Sequence, residues 1–242
     1  PGAEADRAFL ALLPDGSAPT ALRKRAAVAL GRRRPPGSLD AVVMAAADTT
    51  AGLRGASMLS LQFFRGSTEA RIALLTGLED RDWLVRINAA RSLGMIGMVE
   101  AAPFILSELE AQLHDAKLVS ASGTERVYRN SYLGLLSRSA MALDPAASVA
   151  TLARLVDSEA VDATVKLNAL NALAGHVALS SDLLSRTVLD EHQEEIVRAV
   201  ACKILASADL ESARDLGEAL LPNLMDEYSR AVVHSAIAEH AD

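Results

Sequence analysis

The side chains that could do chemistry are few and scattered. Five histidines, His114, His176, His192, His234 and His240, are spread from residue 114 to the end of the chain. A metal centre needs ligands that converge at fixed spacing, and the suggestive pairs are Glu191-His192 and Glu239-His240. Two pairs so far apart make no ligand set, so neither metal nor cofactor is expected. The single cysteine, Cys202, excludes an internal disulfide and a cysteine-based metal cage. Among Val200, Ala201 and Ile204 it reads as a small buried hydrophobe. There is no Gly-x-Ser-x-Gly elbow and no phosphate-cradling glycine loop. Gly94-Met95-Ile96-Gly97 sits at a helix end and reads as a C-cap. Glu108 and Glu110 fall on different helix faces and do not form a carboxylate pair. No catalytic centre follows. What remains is ionic: Arg23-Lys24-Arg25 and Arg32-Arg33-Arg34 make a basic cluster near the start.

A nucleic-acid binder should carry a basic stripe with aromatic residues for stacking. This chain has a formal net charge of −7 and eight aromatics in 242 residues. The charge is divided: residues 1–99 hold 13 Lys/Arg against 9 Asp/Glu, and residues 100–242 hold 11 against 22. Nucleic acid is therefore an alternative partner and not the first choice. No segment reaches the ~18 uncharged apolar residues needed to span a bilayer. The N-terminus lacks a basic region followed by an apolar run, which favours a cytoplasmic setting, and a start at Pro1 suggests a trimmed chain.

The elements that must position these groups are helices. Alanine, leucine and arginine dominate, and alternating β-branched runs are nearly absent. Helices aligned on the pattern apolar-basic-x-x-small-small-x-x-apolar place anchors at Leu22, Leu53, Val85, Tyr128, Val165, Val197 and Ser229. A basic residue follows each: Arg23, Arg54, Arg86, Arg129, Lys166, Arg198 and Arg230. The anchors are 31, 32, 43, 37, 32 and 32 residues apart, inside the period of helical-hairpin arrays. Three residues before each anchor stand Pro19, Thr50, Asp82, Glu125, Asp162, Glu194 and Asp226, mostly acids suited to a first helical turn. The basic residues lie at the edge of the buried stripe, so an acid of one unit could pair with a basic residue of the next as a register-setting ladder. First helices are expected near residues 3–13, 39–48, 67–78, 100–114, 145–157, 179–189 and 209–221, separated by Pro/Gly breakers. One domain over residues 1–242 follows, with units near 3–34, 39–65, 67–98, 100–143, 145–176, 179–207 and 209–241. The stretch 116–124 inside the longest interval is expected to form a loop.

Asp82, Val85, Arg86, Ala89, Ala90, Leu93 and Gly94 carry a resemblance to the HEAT-repeat family of α-solenoids. So do Asp162, Val165, Lys166, Ala169, Leu173 and Ala174, with Glu194, Val197, Arg198, Ala201 and Leu205. Gln62, Tyr132 and Ser229 depart from that pattern. The resemblance implies an all-α, right-handed α-α superhelix of about seven hairpins that binds a partner protein or segment on its concave face. Three HEAT-like families suggest other roles. The deoxyhypusine hydroxylases hold iron with His-Glu pairs, an order reversed here. The alkylpurine DNA glycosylases are echoed by Asp82-Trp83, and the phycobilin lyases by Tyr128, Arg129 and Tyr132.

On the second helices, the positions facing away from the buried stripe are Asn88, Arg91, Ser131, Gly134, Arg138, Asn168, Asn171, Val200 and Lys203. This row is small, polar and rich in asparagine, which offers both donors and an acceptor. We take Asn88, Arg91, Ser131, Arg138, Asn168, Asn171 and Lys203 as the candidate partner-binding residues. The terminal helix carries Tyr228, Val232, Val233, Ala236 and Ile237 over a wide arc, so further chain or a neighbour is expected to cover it.

Overall fold

A computed structural model describes residues 2–113 and 123–238, without the side chains of 124 and 125. His114, the pair Glu239-His240 and most of the 116–124 stretch lie outside these residues. Every regular element among the described residues is helical. The helices alternate as first and second members of hairpins: α1 (Ala3–Leu12), α2 (Thr20–Arg33), α3 (Ser38–Ala45), α4 (Ala51–Leu61), α5 (Thr68–Leu78) and α6 (Trp83–Ile96). A short 3₁₀ turn at Val99–Ala101 leads into α7 (Ala102–Leu113). Then come α8 (Gly123–Leu143), α9 (Pro145–Asp157), α10 (Ala163–Leu173), α11 (Val177–Leu189), α12 (Glu195–Ala206), α13 (Leu210–Leu220) and α14 (Glu227–Ala238). None of the described helices is long and apolar enough to cross a membrane.

The helices form two compact units, Pro1–Ile105 and Leu106–Asp242. In the first, α2 packs on α4 and α4 on α6, while α3 meets α5. In the second, α8, α10, α12 and α14 stack in turn, and α9, α11 and α13 follow on the other side. This is the hairpin-on-hairpin packing of an α-solenoid, in which each helix buries its apolar stripe against its neighbours. Leu30, Leu53, Leu61, Leu74 and Leu93 fill the first core, and Leu133, Leu136, Leu152, Leu155, Leu170 and Leu184 the second.

Caps explain several helix starts. Asp82 accepts from the Leu84 N–H, Ser67 from Ala70, Asp144 from Ala147, Asp162 from Val165 and Asp209 from Ser212. Each satisfies one of the amide donors a helix N-terminus leaves open. Glu194 flanks α12 without a side-chain cap bond. Two anchors depart from the expected burial, Leu22 at 43% and Tyr128 at 50% exposure. Both belong to the first second-helix of their unit, α2 and α8, where no earlier second helix of that unit covers the position. In α8 the buried aromatic is Tyr132, whose hydroxyl donates to Glu108 at 2.6 Å. Ser229 is fully buried because Asp226 takes both its N–H and its hydroxyl, so the polar side chain is satisfied locally.

Candidate functional site

Five of the seven basic residues, Arg23, Arg54, Arg86, Arg198 and Arg230, donate to backbone carbonyls of their own hairpins. Arg23, Arg54, Lys166 and Arg198 are buried, and do not keep their heads in water at the edge of the stripe. Arg23 Nε donates to the Leu13 carbonyl at 2.9 Å and Arg198 Nε to that of Val188 at 2.9 Å. Arg54 Nη1 reaches the Asp48 carbonyl at 2.9 Å, Arg86 Nη1 that of Asp80 at 2.9 Å, and Arg230 Nε that of Leu224 at 2.6 Å. Each of these cations thus takes a carbonyl from the end of the preceding helix or from the turn that leads into its own helix. A guanidinium has five donors, enough to serve that carbonyl and a second partner.

For Arg23 and Arg54 the second partner is an acid of the following hairpin. Arg23 pairs with Asp48 at 2.6 Å, and Arg54 holds Asp80 through both carboxylate oxygens at 2.7 and 2.8 Å. In the second unit Lys166 donates to the neutral Gln193 at 2.8 Å, and Gln193 donates onward to the Val156 carbonyl. Asp48 and Asp80, the acids of these two pairs, stand five residues before their anchors. Asp82, Asp162 and Asp226, three residues before, accept from backbone N–H groups at the starts of their own helices; Asn130 also donates to Asp162. Arg54 lowers the Asp80 carboxyl against the cost of burial. At Asp48 burial pushes upward, but the Thr50 amide and Arg23 outweigh it and the carboxyl lies below its ordinary range.

The candidate row on the second helices divides in two. Asn88 and Asn168 are half-buried between helices. Asn88 Nδ2 donates to the Gly55 carbonyl at 3.1 Å and Asn168 Nδ2 to that of Asn130 at 3.4 Å. Gly134 leaves room for this approach, since a Cβ there would lie 2.8 Å from Asn168. Ser92 makes a similar bond, its hydroxyl donating to Met58 at 2.8 Å. Arg91, Ser131, Arg138, Asn171 and Lys203 are exposed.

In the first unit α2, α4 and α6 line a groove of about 740 Å³. Its floor is Ala21, Val28, Ala29, Gly52, Ala56, Leu59 and Leu84, and its cations are Lys24, Arg25, Arg32 and Arg33. A second hollow of about 460 Å³ shares Arg32 and adds Arg34, Arg65, Phe63 and Phe64. Neither is lined by a carboxylate. Arg33 is paired with Asp6. Among the described residues, Lys24, Arg25, Arg32, Arg34 and Arg65 make no side-chain hydrogen bond or ion pair. The groove was readable in one respect. Lys24 and Arg25 stand seven or eight residues before Arg32, which is two turns on one helix face, with Val28 and Ala29 between.

Histidine and cysteine chemistry finds no assembled site. His192 lies beside Asp190 on the surface, and among the described residues no group of three or more His, Cys, Asp or Glu could hold a metal. Cys202 is buried, and its thiol is pushed up to about 11 by desolvation.

The chain matches no protein-family model and no curated protein. Among solved structures it is similar to the complex of CpcE and CpcF of phycocyanin lyase from Nostoc sp. PCC7120, at 19% identity and a TM-score of 0.56, covering 97% of this chain and 94% of that one. Two others are human deoxyhypusine hydroxylase in complex with glycerol (16%, TM-score 0.43, 98% and 96% covered) and the archaeal HEAT-like repeats protein from Thermococcus onnurineus NA1 (15%, TM-score 0.45, 96% and 98% covered). The first likeness supports an all-helical repeat fold.

Proposed function

We propose that the chain is a non-catalytic scaffold of the HEAT type that docks a segment of another protein on the face made by its second helices. The observation that carries this reading is the groove across α2, α4 and α6, apolar in its floor and edged by Lys24, Arg25 and Arg32, which make no side-chain hydrogen bond or ion pair among the described residues. Internal ion pairs occupy the neighbouring cations Arg23, Arg33 and Arg54. In the first unit the exposed Arg91 lies on the same second helix, α6, as the groove residue Leu84. In the second unit Ser131, Arg138, Asn171 and Lys203 are exposed on second helices of their own. Asn88 and Asn168 each tie successive second helices together within their unit. That the similar CpcE and CpcF form a complex agrees with a protein partner.

A photo-crosslinking side chain at Val28, in the groove floor, tests the reading against one at Ile72, which is exposed on the first helix α5. In an extract of the source cells, Val28 should yield a discrete protein adduct and Ile72 should not. Equal labelling from both sites, or none from Val28, removes the groove as a docking surface.

A second reading, chromophore holding, is supported by the same cation-edged apolar groove together with the likeness to the lyase complex. A linear tetrapyrrole added to the protein should then acquire a shifted visible spectrum that is lost on substituting Lys24 and Arg25. An unshifted spectrum eliminates this reading and leaves the scaffold.

A further inference from the structure

Resting on the scaffold reading, we infer that the groove across α2, α4 and α6 takes an acidic amphipathic helix of a partner protein. Three features specify that chemistry.

The first is charge. Lys24, Arg25 and Arg32 edge the groove without an internal partner, and no carboxylate lines it or the adjoining hollow with Arg34 and Arg65. Four acids of this unit are held in ion pairs: Asp6 with Arg33, Asp48 with Arg23, Asp80 with Arg54 and Glu100 with Arg71. The groove therefore complements carboxylates and rejects cations.

Spacing is the second feature. Lys24 and Arg25 lie seven to eight residues from Arg32, about 11 Å along the axis of α2. Carboxylates two turns apart on one helix repeat at that distance. Between the cations the wall is apolar, so the occupant's side chains between its acids must be apolar as well, at the i, i+3, i+4, i+7 spacing of helix-in-groove recognition.

The third feature is depth. Ala21, Ala29, Gly52 and Ala56 supply a shallow floor of small residues, low enough for a helix to settle and seat leucine- or phenylalanine-sized groups against Leu59 and Leu84. A phosphodiester backbone could use the cations but has nothing to place on that floor, which favours peptide over nucleic acid.

The test is selection from a random peptide display library on the folded protein, followed by fluorescence anisotropy with three synthetic probes. These are an acidic amphipathic helix, its Lys-for-Glu counterpart, and a single-stranded DNA oligonucleotide of matching charge. Enriched peptides should be acidic and apolar at helical spacing, and of the synthetic probes only the acidic helix should bind. Lys24→Glu/Arg25→Glu/Arg32→Glu should weaken it at least about tenfold. Arg7→Glu/Arg71→Glu/Arg214→Glu alters the net charge equally on first helices, and should leave binding within about twofold. Circular dichroism melts of both variants establish that they fold. Neutral or basic enriched peptides that still lose binding in the groove variant overturn the acidic partner while sparing the docking site. Failure of any peptide to bind overturns both. Tighter binding of the oligonucleotide, or an equal loss in both triple variants, overturns the inference in favour of non-specific or nucleic-acid attraction.

Discussion

Arg34 is the only non-glycine residue with positive φ among the described residues, at 51°, where it terminates α2 and donates its N–H to Leu30. A left-handed conformation costs an L-residue roughly 1–2 kcal/mol, and glycine is the usual occupant of such a helix end. Arg34→Gly should accordingly raise the unfolding free energy by about 1 kcal/mol, measured by denaturant titration. If Arg34 also assists in holding an acidic segment, the more stable variant should bind it less well. A second residue-scale prediction concerns Asp80. Its folded-state carboxyl lies below the ordinary 3.8 because Arg54 grips it. The contribution is thus complete above that value and lost as pH falls through the lower folded-state one. Asp80→Asn should cost about 2–3 kcal/mol at neutral pH by leaving Arg54 without its counter-charge, and its stability should fall less than that of the parent between pH 4 and pH 2. Cys202 should resist a thiol reagent at pH 8 until the protein unfolds, since burial keeps it protonated and covered. Prompt labelling of the folded protein would show that α12 to α14 open readily.

At the scale of elements, the contacts between second helices depend on missing side chains. A Cβ on Gly31 would stand 2.8 Å from the Ser60 Cβ and 2.9 Å from its carbonyl oxygen, and backbone has little freedom to give way. Gly31→Ala should destabilise by about 1–3 kcal/mol, seen as a lowered melting temperature. The helices themselves were legible because breakers such as Pro35-Pro36-Gly37 and caps such as Asp162 are local signals. The expected 67–78 and 145–157 correspond to α5 and α9 almost residue for residue. Pairing across hairpins was less legible. Acids recur three residues before the anchor because a helix start wants them, whereas the acids that meet Arg23 and Arg54 occur at an equivalent place only in Asp48 and Asp80. Asn88 and Asn168 were singled out for their polarity, but their use as ties depends on the neighbouring helix lying close at Gly55 and Gly134, which a single helical wheel does not contain.

For the whole molecule, a net charge of −7 is a poor guide to what the groove attracts. At physiological ionic strength the screening length is about 8 Å, so an occupant responds to Lys24, Arg25 and Arg32 before it responds to the distant acids of the sequence. Affinity for an acidic helix should therefore decline steadily between about 0.15 and 1 M salt, with an apolar remainder that salt does not remove. A salt-independent affinity would assign the binding to the floor alone.

The carbonyl bonds of Arg23 and Arg198 each join residues ten positions apart, Leu13 with Arg23 and Val188 with Arg198. Side chain and carbonyl meet only when that count is kept, so these two bends are gauged in length as well as in direction. A single residue added between 13 and 23, or between 188 and 198, would pull guanidinium and carbonyl out of register and strand both away from water. The same residue added between Arg34 and Ser38, outside the measured bend, would meet no such restriction. Tolerance to lengthening should thus alternate along the chain, strict within these hairpins and lenient between them.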